Sequence, residues 1–80
     1  MSEAPNKHTL HVVMQAREGA LVRLLGLVER RGFRLFSVST APTDDIFNIT
    51  LEVVSERDVG TLCRQILRLA EVVSATRAES

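Results

Sequence analysis

The sequence predicts an α+β domain of the ferredoxin-like type: β-α-β-β-α-β, a four-stranded antiparallel sheet with both helices on one face. Three observations predict it. Two stretches carry apolar residues at helical spacing, Leu21 to Val28 and Val59 to Ala70. Four short stretches are rich in β-branched residues, and two of them alternate cleanly. Each helical stretch lies between two extended ones, and the right-handed crossover preference fixes most of the remaining topology.

Met1 to Lys7 holds Pro5, Asn6 and two charges without periodicity and reads as a frayed terminus. Residues 8–77 form one domain, and 78–80 a short tail. The first strand, His8 to Met14, sets Leu10, Val12 and Met14 on one face, with Thr9, His11 and Val13 on the other. Gln15 to Gly19 connects it to the first helix and offers no strong N-cap side chain. The first helical amides are then satisfied by water or a distant group, or left to receive an anion such as a ligand carboxylate. Gly19 would let such a ligand approach the backbone closely.

In the first helix, Leu21, Leu24, Leu25 and Val28 share a face, and Arg30 and Arg31 sit where a helix C-terminus favours cations. Gly32 is placed to end the helix in a left-handed conformation. The second strand runs from Phe33 to Thr40, with a bulge expected near Leu35 and Phe36, where alternation fails. Ala41-Pro42-Thr43-Asp44-Asp45 reads as a turn. In the third strand Phe47, Ile49, Leu51 and Val53 face the core. Ser55 is expected to open the second helix, with Asp58 three residues on in a weak capping box. Val59, Leu62, Cys63, Ile66 and Ala70 form its apolar stripe, and Val72 to Thr76 is the last strand.

Bulk properties exclude several roles. The 80 residues include ten acidic and ten basic ones, so no net charge draws the chain to nucleic acid or to an acidic membrane. No apolar run is long enough to span a bilayer, no secretory signal is visible, and the single Cys63 forms no internal disulfide. The expected compartment is the cytoplasm. A domain of this size buries only about 60% of its unfolded surface, so self-association would help it. An RNA-recognition domain of this topology needs stacking aromatics on the first and third strands, where only Phe47 stands, on the core side. A metal chaperone needs a cysteine pair in the first loop, which has none. An acylphosphatase would use Arg17 and Asn48, but the short loop cradles phosphate poorly and no acid–base pair is evident.

A regulatory binding module remains. The run Gly19-Ala20-Leu21, Arg23, Gly26-Leu27 and Arg31-Gly32-Phe33, followed by Ala41-Pro42-Thr43-Asp44-Asp45, resembles the small regulatory subunits of acetolactate synthase (acetohydroxyacid synthase). Leu67 to Val72 also resembles a stretch of that family. The resemblance spans roughly residues 8 to 77 and implies an ACT domain, an amino-acid-sensing module of β-α-β-β-α-β order. It also implies that the chain has no active site and binds no cofactor. Its partner would be the large catalytic subunit, which carries thiamine diphosphate, magnesium and FAD. That subunit condenses two oxo acids, with loss of carbon dioxide, at the entry to valine, leucine and isoleucine synthesis. ACT domains usually pair edge to edge, with an effector in the seam, so a homodimer and a branched-chain amino acid effector are implied.

The resemblance places Gly19, Ala20 and Leu21 at the effector carboxylate, with Arg34 beside the effector. Valine-responsive members carry asparagine three positions before the loop glycine and again after the arginine-glycine-aromatic triplet. Ala16 and Arg34 stand there instead, and neither supplies a neutral side-chain amide. Longer members also carry a second domain beyond this length. Both departures imply a short, weakly sensitive or valine-insensitive activator. Arg34 is either a solvated edge residue or a contact for another anionic effector. Docking candidates are Val22 and Leu27, off the main stripe of the first helix, and His11, Asn48 and Thr50 on the open sheet face. The alternative is a free-standing ACT module that regulates another enzyme.

Overall fold

In the computed structural model, which describes residues 7–78, the chain runs β1 (Lys7–Gln15), α1 (Ala20–Arg30), β2 (Arg34–Thr43), β3 (Ile46–Val54), α2 (Val59–Ile66) and β4 (Val72–Arg77). The strands form one antiparallel sheet in the order β2-β3-β1-β4. This is the predicted ferredoxin-like arrangement. The reading of Met1 to Asn6 and of Glu79 and Ser80 lies outside the described residues. Lys7 already pairs with Val54, and the Ala78 amide still donates to Thr9 O at 2.8 Å.

The core follows from strand alternation. Leu10, Val12 and Met14 of β1 and Leu51 and Val53 of β3 lose all solvent contact beneath the helices. Opposite them, His11 pairs with Thr50 and Val13 with Asn48 on the open face. Phe47 is half-buried against the core, as its place in the alternation implied.

Helix α1 corrects the expected stripe by about one residue. Its buried positions are Ala20, Leu24, Leu27 and Val28, while Leu21 and Leu25 are only partly covered. Leu27, expected as a docking residue, is therefore core, whereas Val22 is 74% exposed. The helix ends as Gly32 implied. With φ +88° at Gly32, the Phe33 amide donates to Val28 O (3.2 Å) and the Gly32 amide to Glu29 O (3.1 Å). This is a Schellman closure, sealed by the buried pair Val28 and Phe33. Phe33 thus anchors the helix end and does not begin β2.

The hairpin departs from expectation. Residues Ala41 to Thr43 continue β2, and the turn shrinks to Asp44-Asp45 between the paired Thr43 and Ile46. Asp44 takes φ 54°, a conformation that aspartate tolerates in such turns. Pro42 fits because β2 is an edge strand with no ladder on its outer side. The register shift between Leu35 and Ser37 is the expected bulge. A second shift, between Val13 and Met14 against β4, was not expected and leaves Val73 60% exposed.

Helix α2 starts three residues later than expected. Asp58, not Ser55, is its N-cap and accepts from Gly60 N and Thr61 N, each at 3.2 Å. Ser55 Oγ instead accepts from the Arg57 amide at 2.9 Å, closing a local turn before the helix. The Thr61 hydroxyl and the Gly60 amide hold the Asp58 carboxyl below its ordinary pKa. The helix stops at Ile66, so Ala70 is exposed and outside it. Tighter bonds, Arg68 N to Gln65 O and Leu69 N to Ile66 O, draw the chain from the helix toward β4.

The long dimension of the molecule, 41 Å, is set by strands and not by helices. Ten residues of β2 reach about 33 Å, whereas the 11 residues of α1 cover about 16 Å. Nine of the ten β2 residues are exposed, Leu35 being half-buried. The free edge is therefore long and uncovered on both faces.

Candidate functional site

The start of α1 carries the first candidate constellation. Gly19 is the N-cap residue with φ +80°, and no side chain caps the helix. The Ala20 amide donates to Arg17 O at 3.0 Å, and Ala20 itself is fully buried. The amides of Gly19, Leu21 and Val22 have no acceptor among the described residues. Of the predicted carboxylate contacts, Gly19 and Leu21 thus keep open donors, while the Ala20 donor is already engaged.

One contact was invisible in the sequence. Arg23 Nη2 donates to Glu71 Oε2 at 2.5 Å across a separation of 48 residues. Its other nitrogen, Nη1, lies 3.0 Å from where a Cβ on Gly19 would stand. A guanidinium therefore folds back over the glycine. Glu71 is held below the ordinary carboxylate range, first by its own backbone amide and then by Arg23. Glu71 O also accepts from Gln15 N at 2.8 Å, which ties β1, β4 and the helix entrance together. The entrance thus combines open helix-end amides, which favour an anion, with an Arg23–Glu71 ion pair whose charges offset each other.

Ala16 lies beside this entrance. Its amide donates to Asp45 O at 2.8 Å, and it lines an open cavity of about 310 Å³ with Gln15, Arg17, Asp45 and Ile46. Ala16 offers no side-chain polar group to that space. Arg34 is elsewhere. It opens β2 opposite Val54, which also pairs with Lys7 at the start of β1. Gly19 follows the other end of β1, so one chain does not bring Arg34 to Gly19, Ala20 and Leu21.

On the open sheet face, Thr50 Oγ1 and His11 Nδ1 are 3.2 Å apart, and Asn48 Nδ2 reaches Ala41 O at 3.5 Å. The three residues flank a shallow depression of about 260 Å³ with Ser39 and Val13. At the far end of β2, Lys7 Nζ lies 4.2 Å from the ring centre of Phe36. Cys63 is buried on α2, and burial pushes its thiol pKa up, so it behaves as a small core residue. Among the described residues no cluster of His, Cys, Asp and Glu could hold a metal ion, and no helix is long and apolar enough to cross a membrane.

Known proteins share this fold. The acetolactate synthase small subunit of Buchnera aphidicola subsp. Baizongia pistaciae is 32% identical over 73 residues, covering 88% of this chain and 46% of that protein. The acetolactate synthase small subunit of Mycobacterium avium is 30% identical over 79 residues, covering 95% of this chain and 47% of that protein. The chain thus spans about half the length of the curated relatives it matches. The crystal structure of the acetolactate synthase small subunit from Thermotoga maritima superposes with a TM-score of 0.79 at 21% identity, over 91% of this chain and 47% of that one. At that identity the superposition speaks for the fold alone. The sequence profile described as "ACT domain" matches residues 16–75, from the helix entrance to β4. That match takes in both helices and most of the sheet, and the chain belongs to the ACT domain family.

Proposed function

We propose that this chain is a regulatory component of an acetolactate synthase, acting on the large catalytic subunit in branched-chain amino acid biosynthesis. The observation that carries this reading is the run of about 30% identity to acetolactate synthase small subunits over nearly the whole chain. In this role the chain works in the cytoplasm as an activator. The catalytic partner holds thiamine diphosphate, magnesium and FAD. Valine acts weakly or not at all, because Ala16 and Arg34 offer no amide side chain where the valine-responsive pattern has asparagine. Purifying the natural complex and identifying the protein that comes with this chain tests the reading. A catalytic acetolactate synthase subunit supports it; a different enzyme would favour a free-standing ACT module.

We also propose that the chain pairs with a second copy through β2. The free edge presents unpaired backbone groups along ten residues. Val38 lies opposite Leu51, on the helix side of the sheet, yet is 39% exposed. A two-fold axis beside β2 reverses the second strand. It sets the Arg34 end of one copy beside the Thr43 end of the other, the same end as Gly19. The seam would thus assemble Gly19, Leu21 and the second copy's Arg34 into one anion-receiving site. Val38→Lys is expected to weaken pairing, since losing a buried valine contact costs about 1.5 kcal/mol, or about tenfold in Kd. Sedimentation velocity reads this as a shift toward monomer. An unchanged dimer would place the interface elsewhere.

A further inference from the structure

A second candidate site lies at the opposite end of α1. An open cavity of about 400 Å³ sits between the end of α1 and the start of α2, a size that suits a small molecule, for which pockets start at about 300 Å³. Phe33 and Leu62, both nearly fully buried, close its inner side. Arg31 and Arg57 line it, and neither has a carboxylate within bridging distance among the described residues. Arg31 Nη2 donates only to the neutral Gln65 Oε1, at 3.0 Å.

The exposed Arg57 side chain lies over the Gly32 backbone. Its Nε and Cδ fill the space that a Cβ on Gly32 would take. A glycine required by the helix stop therefore also makes room for the guanidinium. The one carboxylate on the cavity wall, Asp58, is committed elsewhere. It accepts from Gly60 N, Thr61 N and Thr61 Oγ1 and stands 4.0 Å from Arg64. The Gly60 and Thr61 amides at the start of α2 are taken by the same cap, and Arg31 and Arg57 are the cations that line the cavity.

We propose that this cavity binds a short aliphatic carboxylate. The carboxylate meets Arg31 and Arg57, which present fork-shaped donors matched to its two oxygens. The hydrocarbon body lies above Phe33 and Leu62, against the carbon stems of Arg31, Arg57 and Gln65 that line the same cavity. Gln65, already bonded to Arg31, holds that guanidinium at the rim. This site is separate from the one at Gly19, and it requires neither the catalytic partner nor a second copy.

The test is a heteronuclear NMR titration of the full chain with sodium isovalerate. Saturable shifts are expected at Gly32, Phe33, Thr61 and the Gln65 side-chain amide. Arg57→Gln is expected to weaken the response by about tenfold, the effect of losing one charge-assisted hydrogen bond. The rest of its spectrum should be unchanged, showing an intact fold. Isoamyl alcohol, which has the same body without the charge, should give no saturation, and inorganic phosphate should bind more weakly. Four results would overturn the proposal: no saturable shifts, shifts centred on Gly19 to Val22, equal binding of phosphate, or an Arg57→Gln variant that binds as the parent does.

Discussion

Replacing Leu24 with alanine is expected to lower stability by about 3 kcal/mol. Leu24 has no solvent exposure and belongs to the hydrophobic core. Truncation removes buried hydrocarbon and leaves a cavity that a small core cannot fully close. For a domain of this length the melting temperature should fall by about 15 °C. Val22→Ala is the matched control: Val22 is 74% exposed, so its loss should stay within about 0.5 kcal/mol. Leu25→Ala should fall between the two, because Leu25 is only partly buried. Chemical denaturation of the three variants reads out the rotation of α1 directly. If Leu25→Ala costs more than Leu24→Ala, the helix presents a different face to the sheet.

Gly32→Val is expected to destabilise by about 2 kcal/mol, because a β-branched residue is strained in the left-handed region. Gly32 has φ +88° and closes the Schellman bonds at the end of α1. Gly32→Asn should cost less, since asparagine tolerates that conformation. Both variants place a Cβ where Arg57 lies. Arg57 is exposed and can swing away, so the backbone conformation, not the contact, dominates the cost. Equal stability of the valine and asparagine variants, measured by urea denaturation, would show that residue 32 does not need a left-handed backbone.

The physics of periodicity explains what could be read from the sequence. Strand alternation in β1 and β3 is strict, so their buried faces were legible residue by residue. Gly32 was legible because few residues end a helix as it does. The bulge at Leu35 and Phe36 was legible as broken alternation. The face of α1 is hard to read because Ala20, a small residue with little apolar weight, is fully buried on the same side as Leu27. The start of α2 is ambiguous in the sequence because Ser55 and Asp58 both suit a cap, and only the fold shows that Ser55 is spent on Arg57 N. Pro42 reads as a breaker and ends the expected strand at Thr40, whereas an edge strand accepts it and β2 runs on to Thr43.

The candidate site was less legible than the fold. Gly19 precedes α1 as its N-cap, but nothing in the chain order brings Arg23 to Glu71 or lays Arg57 over Gly32. Those contacts come from helix packing over the sheet, which carries no local sequence signal. Arg34 shows the converse. Family resemblance set it beside the effector, but the single chain holds it at the far end of β2 from Gly19. The proposed seam between two copies would bring the two placements together.

The most direct measurement is enzymatic. Purified chain is added to a purified large catalytic subunit of acetolactate synthase, and acetolactate formation is followed with and without valine. Specific activity should rise saturably with added chain, and valine should leave the stimulated rate nearly unchanged. A rate that stays at the level of the catalytic subunit alone, at every ratio of the two proteins, would contradict the account.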